Sequence, residues 1–183
     1  MVWRWKRTVS AWAAVALGLV SGPTLAARAP EPAKPVDVAR FYSGVWREIG
    51  RRPMALTNGC VAGATRYTRQ SDGRIQVRDT CQKSVPNGPE KAIGGPGVIL
   101  DPGTNAKLRV SYHVLGLLTL NRDYWVLDHD ENYSWFISAD PAFENLWIYT
   151  RTPRPDAALL RALVDRARAL GYDVSKLEFP AQP

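Results

Sequence analysis

The sequence predicts an all-β fold: a meander of eight short antiparallel strands, closed as a sandwich or as an up-and-down barrel, with one helix after the last strand. Three observations predict it. From Trp46 to Arg151, strand-like runs follow one another with turn signals and no helical stretch between them. Within runs, apolar residues recur at period two, as in Leu108, Val110 and Tyr112. After Pro155 the apolar period changes to that of a helix.

The eight predicted strands cover residues 46–51, 60–68, 74–83, 91–100, 106–114, 123–128, 133–138 and 145–151. The second and third flank Ser71, Asp72 and Gly73, a hairpin signal. Asp101, Pro102 and Gly103 mark the turn after the fourth. The helix is predicted over about 156–170. Leu159, Leu163, Ala167 and Leu170 form one stripe, with Leu160 and Val164 in the neighbouring row. Arg161, Asp165, Arg166 and Arg168 take the other face. Asp156 suits the N-terminus and Gly171 the C-terminal cap. Such a helix lies with its apolar stripe against the outside of the sheet.

Residues 1–26 read as a cleaved secretory signal. Arg4, Lys6 and Arg7 precede a mostly apolar run over 11–20, and small residues follow around Ala26 and Ala27. Ten apolar residues are too few to span a bilayer, which takes about 20. Residues 27–36, rich in proline, read as a flexible lead-in, and 37–183 as the barrel domain. The whole chain of 183 residues carries 24 basic and 17 acidic groups, net +7. Cleavage removes Arg4, Lys6 and Arg7, which leaves 21 basic groups and a charge of +4. The remaining Lys and Arg are scattered, whereas a nucleic-acid partner calls for a basic face. No nucleic acid is expected.

Secretion places Cys60 and Cys81, the only two cysteines, in an oxidising compartment, where one connectivity exists. His113 and His129 lack a second ligand at metal-site spacing, so neither a metal nor a cofactor is expected. Aromatic residues are the richer signal. Trp46, Tyr112, Tyr124, Trp125, Tyr133, Trp135, Phe136, Trp147 and Tyr149 all sit on or beside predicted strands. They read either as ordinary β-sheet core or as the lining of an apolar cavity.

Three motifs resemble those of the lipocalins. Residues 37–49 contain a short helical turn and then Gly44-x-Trp46, similar to the first lipocalin signature. Residues 123–127, followed by Asp130 and Tyr133, are similar to the second. Residues 146–153, with Arg151 near their end, are similar to the third. The three stand in order across nearly the whole predicted mature chain, and the nearest subgroup is that of bacterial outer-membrane lipocalins and apolipoprotein D. Two departures stand out: Arg47 replaces the aromatic usual after the first tryptophan, and no cysteine follows the signal to carry a lipid anchor.

The resemblance implies an eight-stranded antiparallel up-and-down β-barrel with a C-terminal α-helix packed outside. It implies that Trp46 plugs the closed end with Arg151 across its ring, and that Gly44, Asp130 and Tyr133 are structural. Cys60–Cys81 would join the second and third strands. Strand alternation within that barrel nominates Glu48, Leu108, Val110, Tyr112, Tyr124, Val126, Asp128, Phe136, Ser138, Trp147 and Tyr149 as cavity-lining residues. Arg109, Ser111 and His113 would face out. An inward Glu48 demands a hydrogen-bonding partner.

The expected function is binding of a hydrophobic small molecule, a fatty acid or lysophospholipid, for storage or transport in the bacterial envelope. The protein would be soluble in the periplasm, with peripheral contact to the envelope membrane admitted. Two alternatives stand beside it. One is an enzyme on the same scaffold using Glu48 and Asp128 with a neighbouring tyrosine. The other is an interaction module whose barrel is filled and whose loops bind a partner.

Overall fold

The computed structural model describes residues 28–114 and 118–183. The signal reading of residues 1–26 falls outside them. The eight strands are β1 (Gly44–Arg51), β2 (Cys60–Arg69), β3 (Ile75–Lys83), β4 (Glu90–Ile99), β5 (Lys107–Val114), β6 (Leu118–His129), β7 (Trp135–Ala139) and β8 (Leu146–Thr150). They form a closed barrel in chain order, and β1 and β8 pair antiparallel to complete it. Helix α1 (Val38–Phe41) precedes β1, and α2 (Ala157–Ala169) follows β8. The largest difference from the predicted boundaries is in β6, which begins at Leu118 rather than at residue 123. Its first five residues are exposed at the barrel rim, so no burial pattern marks them.

Helix α1 starts at Asp37, whose carboxylate accepts the amides of Ala39 and Arg40 at 2.8 and 3.0 Å. Gly44, at φ +65°, turns the chain from α1 into β1. The Asp130 carboxylate holds the β6–β7 turn, accepting the amides of Ser134 and Trp135 and the Ser134 hydroxyl. Tyr133 takes φ +53° in that turn, and its hydroxyl accepts the Asp37 amide at 2.8 Å. The turn is thereby tied to the start of α1.

Two apolar clusters flank the barrel wall. The inner one contains Phe41, Trp46, Leu108, Val126 and Phe136. The outer one sandwiches Leu163 and Ala167 of α2, both with no exposed surface, against Ile49, Leu127, Trp135, Ile137 and Ile148. Asp156 caps α2 by accepting the Leu159 amide at 2.7 Å. The predicted helix thus covers the outside of β6–β8.

Trp46 is fully buried at the closed end, and its Nε1–H donates to the Phe41 carbonyl at 3.1 Å. The Arg151 guanidinium lies 3.5 Å from the Trp46 ring centroid. It also donates to the carbonyls of Ser43, Val45, Arg40 and Phe41, two of which end α1. One side chain therefore closes the floor and caps the entry helix.

Residues 28–36 are not a free lead-in. The Ala29 amide donates to Pro141 O and the Val36 amide to Thr104 O, while Lys34 pairs with Asp128 at 2.6 Å. Ala29 and Val36 are buried. Prolines that read as a linker by composition instead set an extended path along the wall, fixed by those two apolar anchors.

Cys60 and Cys81 form a disulfide across β2 and β3, with Cα atoms 5.3 Å apart. It closes a loop of 21 residues, for which chain entropy gives about 3 kcal/mol. The double variant Cys60→Ser/Cys81→Ser is expected to lose roughly 2–4 kcal/mol in urea denaturation with the fold retained. A loss near zero would mean that the β2–β3 ladder alone holds this hairpin.

Candidate ligand-binding site

Between the aromatic floor and the open end, the barrel encloses a cavity of about 510 Å³. Seven of the eleven residues expected to line it do so: Glu48, Val110, Tyr112, Tyr124, Ser138, Trp147 and Tyr149. Leu108, Val126 and Phe136 point inward but fill the space beneath, packed with Phe41 and Trp46. Phe136 lies edge-on to Trp46 at 4.7 Å and stacks on Tyr149 at 4.7 Å. His113, expected outside, contributes to the cavity mouth at the end of β5.

Asp128 is a correction. It lies outside the barrel, paired with Lys34 at 2.6 Å and with Arg166 of α2 at 2.9 Å. The register between β6 and β7 shifts by one residue between Val126 and Asp128. This bulge at Leu127 turns both Leu127 and Asp128 outward and undoes simple alternation. The two cations hold the Asp128 carboxyl below its usual range despite partial burial. Glu48 and Asp128 therefore do not share a pocket, and the acid–base pair expected of them is not assembled.

A second bulge creates the cavity's polar wall. Between β1 and β8 the register shifts between Glu48 and Gly50, so Arg51 faces inward beside Trp147. Its Nη1 donates to Glu48 Oε1 at 2.6 Å, its Nε to Glu178 Oε1 at 2.6 Å, and its Nη2 to the Cys60 carbonyl at 2.6 Å. Glu48 is 7% exposed and Arg51 2%. Gly63 faces Glu48 across β2, where a β-carbon would come within 2.6 Å of Oε1. Any larger residue there would force the carboxylate to shift. Burial pushes the Glu48 carboxyl up to about 7, against the pull of Arg51.

Asp79 on β3 is the group that alternation should have nominated and did not. It continues the inward face of Ile75 and Val77 and pairs with Thr65. It accepts hydrogen bonds from Thr65 Oγ1 at 2.7 Å and Tyr112 Oη at 2.5 Å. Tyr112 is 3.0 Å from the Tyr124 hydroxyl, which extends the network across the cavity. Burial raises the Asp79 carboxyl despite both donors. The tyrosines Tyr112, Tyr124 and Tyr149 are also raised by burial, and so remain neutral donors.

The sequence that builds this barrel, its aromatic floor and its cavity matches a known family profile. The profile described as lipocalin-like domain matches residues 36–182. The chain belongs to the lipocalin family. This lipocalin is 35% identical over 153 residues to temperature-induced lipocalin-1 of Arabidopsis thaliana, covering 80% of each chain. It is 28% identical to the outer membrane lipoprotein Blc of Vibrio cholerae, covering 84% of this chain and 88% of that one. Among solved structures it is similar to insecticyanin from the tobacco hornworm Manduca sexta, with a TM-score of 0.66, 18% identity and 84% of each chain covered. It also resembles the amine-binding protein of Rhodnius prolixus solved with tryptamine, at TM-score 0.59, 16% identity, and 81% and 83% coverage. At those identities the structural likenesses speak to the lipocalin fold alone.

Proposed function

We propose that this lipocalin binds a hydrophobic small molecule in the barrel cavity and stores or carries it within the bacterial envelope. The observation that carries the reading is the hollow barrel: about 510 Å³ walled by Val77, Ile93, Val110 and Trp147 with a few buried polar groups. This is the size and chemistry of a small-molecule site, and it leaves the filled-barrel alternative without support. An acyl chain of twelve methylenes would gain roughly 10 kcal/mol gross on leaving water, before the cost of immobilising it. A fatty acid or a lysophospholipid fits that arithmetic. The outer-membrane naming of the Vibrio cholerae relative supports an envelope location. Leu56, Val85 and Leu118, all exposed on open-end loops or strand ends, supply apolar surface for peripheral membrane contact.

Trp147 is the one described tryptophan that lines the cavity, so its fluorescence is the natural reporter. Titration with palmitate and with a lysophospholipid is expected to give saturable changes at micromolar concentrations. In Trp147→Phe the signal should vanish while lipid still co-purifies. Absence of both saturable binding and extractable lipid would overturn the reading.

A further inference from the structure

The cavity's polarity runs opposite to that of a simple grease pocket. Its mouth is lined by Met54, Leu56, Val114 and Leu120. Asp79 on β3 lies below them, one inward step past Val77, while the Glu48–Arg51 pair climbs β1 toward the open end. The partner of Asp79, Tyr112, follows Val110 on β5, one inward step short of Val114 at the mouth. A ligand whose only polar group is its head therefore finds partners for that head at depth, and apolar walls for its tail near the mouth.

The lining sets Glu48 and Asp79 against Arg51 and Lys91, and Glu48 is already paired with Arg51. All three nitrogens of Arg51 are engaged, by Glu48, Glu178 and the Cys60 carbonyl. Arg51 cannot turn to an incoming anion without abandoning a buried carboxylate. Asp79 has no cationic partner among the described residues. Its oxygens are held by two hydroxyl donors, Thr65 and Tyr112, which favour its ionised form against the burial that raises the carboxyl. Around it stand the rings of Tyr67, Tyr112, Tyr124 and Tyr149, with Trp147 beyond. Aromatic faces around a carboxylate attract an ammonium group by charge and by the ring quadrupole. The other charged or titratable lining groups, Lys91 and His113, belong to the mouth end of β4 and β5.

We infer that Asp79 is the head-group selector of this cavity, and that the preferred ligand is an amphiphile entering with an ammonium head first. The inference rests on the cavity-binding reading above and narrows it. Of the lipid classes named there, it disfavours the free carboxylate and favours a head that carries an ammonium.

Three probes with the same twelve-carbon chain separate the possibilities: dodecyltrimethylammonium, dodecanol and dodecanoate, titrated at pH 8 below their micelle concentrations and read by Trp147 fluorescence. The ammonium probe is expected to bind about tenfold more tightly than the alcohol, and dodecanoate about tenfold more weakly than the alcohol. Asp79→Asn should abolish the ammonium probe's advantage over the alcohol. The wild-type ranking stands as a test by itself should that variant not fold. Dodecanoate binding as tightly as the ammonium probe, or an ammonium preference that survives in D79N, overturns the inference while leaving cavity binding intact. If none of the three binds, the cavity-binding reading falls and takes this inference with it.

Discussion

Replacing Arg51 with methionine is expected to destabilise the fold by about 3–5 kcal/mol, because it strands Glu48 in the wall without its partner. The guanidinium has no exposed route to compensation, since it joins Glu48, Glu178 and the Cys60 carbonyl at 2.6 Å each. Urea denaturation of Arg51→Met, Glu48→Gln and the double variant would measure the coupling directly. The double variant should recover most of the loss, as no charge is then left buried and unpaired. A single Arg51→Met loss below about 1 kcal/mol, the scale of a solvent-screened pair, would mean that water reaches the site.

The pH dependence has a definite sign. The Glu48 carboxyl titrates near 4.5 when unfolded and is pushed up to about 7 in the fold. Between those values the folded chain holds the extra proton, so this contribution to stability is full below 4.5 and is lost as pH rises through 7. In Arg51→Met the downward pull of the guanidinium is gone, and the decline extends further above neutrality. The penalty of the substitution should therefore be larger at pH 8 than at pH 5. Glu48→Gln should flatten the slope without abolishing it, because Asp79 is raised in the same direction.

Trp46→Ala is the second large effect, expected at about 3–5 kcal/mol. The indole fills the closed end with no exposed surface, touches Phe41 and Phe136, and carries Arg151 on its face. Truncation leaves a void that the ring of strands cannot collapse around, and it removes the stacking partner of Arg151. Trp46→Phe keeps most of the apolar volume and should lose clearly less. Equal losses for the two would show that the Nε1 hydrogen bond to Phe41, and not packing, dominates at this position.

The strand count, their order and the outer helix were legible because period two and period 3.6 are written directly in residues such as Leu108, Val110, Tyr112, Leu159 and Leu163. The floor was legible through Trp46 and Arg151, whose motif context is specific. What misled were the two bulges. One extra residue at Ile49 swings Arg51 inward, and one at Leu127 swings Asp128 outward. Neither has a composition signature, since a bulge is settled by pairing with a neighbouring strand rather than by the strand's own sequence. Asp79 is different. The alternation of Ile75, Val77 and Cys81 places it inside, as alternation from Trp46 places Glu48. The Thr65 and Tyr112 hydroxyls that make it tolerable come from other strands.

The pairing of β1 with β8 also constrains how the molecule comes together. Seven of the eight strand pairs join neighbours in sequence, but this last one joins Arg47 to Thr150 and Arg51 to Trp147. Until β8 is available, β1 remains an unpaired edge with its hydrogen-bonding groups open to any passing strand. Closure across about a hundred residues is slow by the standards of local contacts, on the order of milliseconds to seconds for topologies rich in such pairings. A chain that delivers its first strand early and its last strand late thus spends its most aggregation-prone interval as an open sheet. Conditions that slow delivery of the final third of the chain should lower the yield of folded barrel more than an equal delay imposed at the start.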